Sequence, residues 1–415
     1  MSTARVSRSR NRAVLAWAAT RCALLLCVFH VVTLPGPDVT VDVSVIYQGW
    51  YEVLSTGTFP LDDVTWQYPP AAALVVLSPA LLPFLGYAAA FFWLVCAADA
   101  AVFAALLRAG RGAGRRLTGA WVWVAGVALL GPTAYARYDL VVTAVAVASM
   151  LALARRPRAA GALAGLGAML KVWPLLLLIG APPGRATRRA AAAAGSAAAF
   201  AALLFVATMP GAFAFLIFQR RRGTEVESLG ALPFHLARHF GWRGQVLLNF
   251  GSVEFLGPFV GLAGALALAL TAAAFCWLLL WRLRARHFTA ATPYDAAFAA
   301  VLVFTVTSRV ISPQYLVWLV GTAALCMTLR ASVQRVPAAL VLIATGLTLL
   351  EFPLLFSHVV ASDWLGVGLL VLRDGMLAVA SVTACRRLWT SSVRGPEGLP
   401  RQRAAGTRAP ALTSR

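Results

Sequence analysis

The chain has 415 residues, 60% of them hydrophobic and 12% charged, with a mean hydropathy of +0.78. That composition excludes an ordinary soluble domain and points to a multi-span membrane protein. The formal charge of +21 comes from arginines clustered between apolar runs, the positive-inside pattern, so no nucleic-acid partner is expected. The six cysteines all fall inside apolar runs, without metal-ligand pairs or a disulfide framework.

In chain order, Arg5, Arg8, Arg10 and Arg12 form a basic N-terminus (1–12) ahead of the apolar run Ala13 to Leu34. With no small-residue cleavage site, this reads as an uncleaved first span entering from the cytoplasm. An external loop, about 35–68, follows. Within it Val43, Ile46, Tyr47, Trp50, Tyr51 and Leu54 recur at helical spacing, with Ser44, Gln48, Glu52 and Ser55 opposite, which predicts a helix lying along the membrane surface. Asp42 heads that helix. Asp62 and Asp63 follow it, and Tyr68-Pro69-Pro70 leads back into apolar sequence.

Two apolar pieces separate this loop from the cluster Arg108 to Arg116, and two full spans would place that cluster outside. The first piece, Pro69 to Phe84, carries Pro79 and Pro83 and is expected to dip into the outer leaflet without crossing. Spans are then expected over Gly86 to Leu107, Thr118 to Ala136 and Leu140 to Ala154, with the turn Arg137-Tyr138-Asp139 external. The same parity argument applies to Ala160 to Leu170, which reaches about half a bilayer as helix before Lys171-Val172-Trp173-Pro174 breaks it. Two half-helices meeting at Lys171 would hold the lysine at membrane depth facing a cavity; the competing reading is a lysine that snorkels to a headgroup.

Ala190 to Met209 leads to a second external loop, about 210–254, where Arg220, Arg221 and Arg222 break the charge rule ahead of Glu225 and Glu227. The remaining spans are expected over Phe255 to Trp281 and Pro293 to Thr307, then, after the external turn Ser308 to Tyr315, on to about Leu329, and over Pro337 to Phe356 and Trp364 to Ala384. Arg309 and Gln314 lie in one external turn. The expected architecture is an all-α polytopic membrane protein of about ten spanning helices with added half-membrane and interfacial helices. Residues 13–384 form the membrane domain, and 385–415 a disordered basic cytoplasmic tail beside anionic lipid. Asp99, Arg373 and Asp374 are charges inside spans that either pair internally or line the cavity. An outer-face cavity holding both carboxylates and arginines suits an anionic, lipid-linked substrate whose head undergoes acid–base chemistry.

The early external aspartate, Tyr68-Pro69-Pro70, Lys171-Val172-Trp173-Pro174, the stretch Arg222-Gly223 to Glu227-Ser228 and Ser312-Pro313-Gln314-Tyr315 together resemble the polyprenol-phosphate-mannose-dependent mannosyltransferases of glycosyltransferase family 87. The resemblance implies a GT-C-like fold in the plasma membrane. It implies inverting transfer of a sugar, mannose in this family, from a polyprenyl-phosphate donor to a hydroxyl of a lipid-linked or glycan acceptor on the extracytoplasmic face. Membrane lipids are the other expected partners, and no cofactor is expected.

Asp42 resembles the family's catalytic base, against the simpler reading of a helix N-cap. Asp139 resembles a second external aspartate that positions sugar hydroxyls or Arg137, against an ordinary ion pair or turn residue. Lys171, Arg222 and Arg309 are expected on the phosphate, and Glu227 and Gln314 are expected to orient those cations or sugar hydroxyls; Tyr68 and Arg137 complete the substrate-binding set. Arg220 and Arg221 are expected at headgroups. Relatives often carry Lys where Arg309 stands and a Gly-Gln turn where Arg137-Tyr138-Asp139 stands, which leaves the sugar and the subgroup open. His235 and His239 are four apart but lack an apparent third ligand, so no metal is expected. The rivals from other classes are a transporter or flippase of a polyprenyl-linked sugar, and a non-catalytic lipid-glycan scaffold.

Overall fold

The computed structural model describes residues 3–61 and 63–395, and they are mostly helical. In chain order the helices are α1 (Thr3–Val28), α2 (Gln48–Ser55), α3 (Ala72–Leu77), α4 (Tyr87–Ala109), α5 (Thr118–Leu130), α6 (Asp139–Ala152), α7 (Pro157–Leu170) and α8 (Arg185–Thr208). They continue as α9 (Phe215–Arg221), α10 (Leu232–Arg238), α11 (Val260–Arg284), α12 (Thr292–Val306), α13 (Leu316–Met327), α14 (Arg335–Leu349), α15 (Phe356–Ala361) and α16 (Trp364–Trp389). Among the described residues, six stretches are long and apolar enough to cross a membrane: those built on α1, α4, α8, α11, α14 and α16. The protein is therefore a multi-pass membrane protein.

Four further helices expected to span, α5, α6, α12 and α13, are shorter, at 13, 14, 15 and 12 residues. Even the longest reaches about 22 Å, less than the roughly 30 Å of a hydrocarbon core. The shortness has a structural use. α6 begins at Asp139, α12 ends at Val306 and α13 begins beyond Tyr315, so all three stop at one level and leave the remaining depth to a cavity.

The opposite ends of these helices carry the arginine clusters, and hydrogen bonds gather them. The Arg116 amide donates to Thr328, the Arg330 amide to Gly114, the Arg286 amide to Ser392 and the Arg387 guanidinium to the Val333 carbonyl. The molecule thus has a basic end and a cavity end.

The break at Lys171 follows from packing. α7 lies so close to α8 that a Cβ on Gly161 or Gly165 would fall 1.9 or 2.2 Å from the Ala190 or Ala194 carbonyl oxygen. Small residues four apart permit that approach between apolar helices. After Lys171, which is extended, the chain resumes in a tight 3-10 turn through Trp173–Gly180. The segment after Pro69 likewise forms only α3 and one turn, Ser78–Leu81, too short to cross.

The intramembrane charges Asp99 and Arg373-Asp374 are paired within the fold. Arg21 of α1 meets Asp99 of α4 at 2.8 Å, both almost wholly buried, and Trp17, Trp123 and Tyr135 also donate to that carboxylate. Arg373 of α16 contacts Glu351 at 2.6 Å and Asp374 at 3.3 Å.

The loop between α8 and α11 holds structure that the sequence reading did not anticipate. Strands β1 (Thr224–Glu225), β2 (Gln245–Asn249) and β3 (Ser252–Leu256) form an antiparallel sheet in the order β1-β3-β2, with Thr224 opposite Phe255 and Val246 opposite Phe255 on its other side. His235 and His239 fasten α10 to the α15–α16 junction: the His235 ring bonds the Ser362 hydroxyl and the Val226 carbonyl, and the His239 ring bonds the Ser362 carbonyl, each at 2.7 Å.

The C-terminal boundary moves as well. Helix continues past Ala384 through α16 and a wider turn to Arg394, so the first ten residues of the expected disordered tail are ordered here. The rest of that tail, 396–415, lies outside the described residues, as do Asp62 and the side chains of Arg220 and Arg221.

Candidate active site

At the cavity end a single cavity of about 620 Å³ opens between the first loop, the second loop and the ends of α12 and α13. Asp42, Tyr68, Arg137, Lys171, Arg222, Glu227, Arg309 and Gln314 all line it. Residues spread over more than half the chain therefore meet at one place.

Asp42 is held by a helical segment, Asp42–Tyr47, that runs directly into α2. Val43, Tyr47, Trp50 and Leu54 are buried, so the apolar stripe read from the sequence seats this helix on the protein body. The Asp42 carboxylate makes no capping hydrogen bond to the helix it heads, and the helix is preceded by Val41 without a side-chain cap. Instead its Oδ2 lies 3.0 Å from Nη2 of Arg137, with 30% of the side chain exposed on the cavity side. Arg137 is fixed in turn by donating to the carbonyls of Val39 and Ala136, both at 2.8 Å, and its Nε is buried without a partner. Asp63 ties the loop together by accepting from the Trp50 indole at 2.7 Å and the Thr65 amide at 2.9 Å.

Lys171, the only lysine in the chain, lies with Nζ 2.6 Å from Asp139 Oδ1. Four rings surround the ammonium: Tyr68 and Tyr138 at 5.1 Å, Tyr315 at 5.0 Å and Trp318 at 4.9 Å from their centroids. Cation–π attraction thus supplements the ion pair at a buried site. Asp139 departs from the expected role. It is 1% exposed behind Lys171, accepts from the Trp318 indole at 2.7 Å, and is absent from the cavity wall and from the contacts of Arg137. Its position on the first turn of a buried helix, with a cation and an indole in front of it, shields it from a substrate.

The second loop supplies the other wall. Arg222 donates to Glu254 at 3.0 Å, and the Gly223 amide donates to the other oxygen of that carboxylate at 2.8 Å. A Cβ at Gly223 would sit 2.8 Å from the Phe255 carbonyl oxygen and 3.1 Å from Glu254, which explains glycine after Arg222. Arg309 donates to the carbonyls of Arg222 and Gln219. Glu225 was not selected from the sequence, yet it lines the cavity: one oxygen accepts the Ser312 hydroxyl at 2.7 Å and the other is buried without a partner. The available signal was its place between Arg222 and Glu227 in a loop that already broke the charge rule.

The cations are not equivalent. Arg137 faces Asp42, Lys171 faces Asp139 and Arg222 faces Glu254, whereas Arg309 has no carboxylate partner among the described residues. Burial, and then the nearby Arg222, hold the Arg309 guanidinium below its ordinary pKa, against a smaller opposing pull from Glu254. Burial raises Glu225, and burial with the neighbouring Glu351 and Glu225 carboxyls pushes Glu227 well above the usual carboxylate range. A half-buried guanidinium beside polar groups with unused hydrogen-bonding capacity can hold a phosphate and a polyhydroxylated group together.

A family model, glycosyltransferase family 87, matches residues 66–313, more than half of the chain. The chain belongs to glycosyltransferase family 87. The family 87 match spans Tyr68, Arg137, Lys171, Arg222, Glu225, Glu227 and Arg309, so most of the cavity's charged wall belongs to it. Asp42 lies upstream of the matched residues and Gln314 one residue beyond them. Family 87 membership makes the protein a membrane glycosyltransferase with a donor and an acceptor, and sets the transporter and scaffold readings aside. Neither a search of curated proteins nor one of solved structures gives a match.

Proposed function

We propose that this glycosyltransferase moves a sugar, mannose by its family resemblance, from a polyprenyl phosphate to a hydroxyl of a lipid-linked or glycan acceptor at the outer face of the plasma membrane. The observation that carries the proposal is the convergence of a cavity-facing carboxylate, Asp42, with Arg309, a guanidinium without a carboxylate partner among the described residues. A volume of about 620 Å³ falls within the range of small-molecule sites. The expected outward orientation agrees with arginine clusters gathered at the far end of the helices.

In the proposed step the acceptor oxygen attacks the anomeric carbon as the bond from that carbon to the phosphate oxygen breaks. The acceptor proton passes to Asp42, and the bonding electrons leave with the polyprenyl phosphate, whose added charge Arg309 stabilises. One direct displacement inverts the anomeric centre. Arg137 acts by orienting Asp42. The ion pair at 3.0 Å fixes where the Asp42 carboxylate points, and the spare Nε of Arg137 gives it a second place to donate once substrate arrives. Arg222 and Lys171 supply further positive potential, while Glu225, Glu227 and Gln314 receive sugar hydroxyls.

The test uses purified protein in nanodiscs with radiolabelled polyprenyl-phosphate sugars and membrane-extracted acceptors. Label is expected to reach an acceptor from polyprenyl-phosphate mannose with inverted configuration. Transfer from a nucleotide sugar in preference to every polyprenyl donor would overturn the proposal.

A further inference from the structure

A second cavity, of about 460 Å³, lies at the basic end between α11, α12 and α16. Its apolar part is formed by Ala274 and Trp277 of α11, Val303 of α12 and Val382 of α16, and Arg386 and Arg394 stand at its mouth. None of the lining residues is acidic. The apolar groove thus runs along membrane-spanning helices and ends in two guanidinium groups.

The groove exists because α11 packs loosely: only 6% of its spanning stretch is buried, the least of the six candidate spans. Its end is nevertheless fixed. The Trp281 indole donates to the Ser392 hydroxyl at 2.9 Å, and the amides of Arg286 and His287 both donate to the Ser392 carbonyl at 2.9 Å. The segment Thr390–Arg394 is thereby clasped to the end of α11, which gives the groove a built floor and holds Arg394 at its mouth. Arg282, Arg284 and Arg286 share this end of α11, and none of these five arginines forms an ion pair among the described residues.

We infer that this groove binds one anionic glycerophospholipid, an acyl chain lying against Ala274, Trp277 and Val382 and the headgroup phosphate at Arg386 and Arg394. A guanidinium pair matches phosphate oxygens, and an aromatic residue such as Trp389 at the same level suits the membrane interface. The bound lipid would fill the gap beside α11.

Native mass spectrometry of detergent-purified protein, titrated with phosphatidylglycerol, phosphatidylcholine or inorganic phosphate, tests this. Wild type is expected to retain one tightly held phosphatidylglycerol and to bind phosphatidylcholine or inorganic phosphate far more weakly. Arg386→Gln with Arg394→Gln should weaken retention about thirty-fold, from two interfacial arginines. Ala274→Trp, which fills the groove with both arginines intact, should abolish retention of the same lipid, and Arg222→Gln in the other cavity should leave it unchanged. The inference falls if phosphatidylcholine or inorganic phosphate binds as tightly as phosphatidylglycerol. It also falls if the folded arginine double variant or Ala274→Trp retains the lipid like wild type, or if Arg222→Gln alone releases it.

Discussion

Replacing Lys171 by Met would leave the Asp139 carboxylate almost fully buried with the Trp318 indole as its remaining donor and its second oxygen bare. Removing one partner of a buried pair costs on the order of 3–5 kcal/mol, because the other charge stays desolvated. The loss of an ammonium seated among four rings acts in the same direction. Asp139→Asn should cost less, on the order of 2 kcal/mol, since an amide oxygen still accepts from Lys171 and the rings still face the cation. The double variant removes both charges and should be more stable than Lys171→Met alone. The measurement is a double-mutant cycle on unfolding free energy in mixed micelles, with an expected coupling of about 2–3 kcal/mol. Costs that simply add would refute the claim that Asp139 is there to hold Lys171.

Arg309→Gln should raise the donor KM by roughly ten- to a hundred-fold, the equivalent of one charged hydrogen bond, with Arg309→Lys intermediate; unchanged donor kinetics in both would remove Arg309 from the phosphate site. His235 is buried and its pKa lowered to about 4, mainly by burial, so the folded protein keeps it neutral while the unfolded chain takes a proton below about 6.5. Stability from its contacts is therefore full above pH 6.5 and is lost as pH falls towards 4, by about 3 kcal/mol at most, so proteolysis between 222 and 258 should accelerate on acidification; a His235→Gln variant with the same pH profile would contradict this. In intact cells, cysteines introduced at 112 and 187 should resist an impermeant label while one at 248 reacts. Labelling at 112 or 187 from outside would reverse the proposed orientation.

Much of this architecture was legible because membranes constrain sequence. Arginine parity forced both breaks, after Pro69 and at Lys171, and the spacing of Val43, Tyr47, Trp50 and Leu54 identified the seated helix. The site was legible where arginines stood in turns that the charge rule would leave free of them, which singled out Arg137, Arg222 and Arg309. Pairings across long separations were not legible. Asp139 lies two residues from Arg137, so the sequence invited that contact, but the first turn of α6 directs it instead to a lysine 32 residues away. Glu225 and the small sheet escaped because a two-residue strand has no periodicity to read, and its register is set by β3, thirty residues later. The segment after Ala384 looked like tail because its polar residues show no apolar stripe; its order comes from Ser392 clasping α11.

The central claim is that Asp42 accepts the acceptor's proton, and Asp42→Asn tests it most directly. Asparagine keeps the size and a hydrogen bond to Arg137 but cannot act as a base. In nanodiscs, with donor binding measured alongside transfer, the account predicts that transfer falls by roughly two to four orders of magnitude while donor affinity stays within a few-fold of wild type. A folded Asp42→Asn protein that transfers sugar at close to the normal rate would contradict it, and would leave the Asp42–Arg137 pair as a clasp between the first loop and the Arg137 turn.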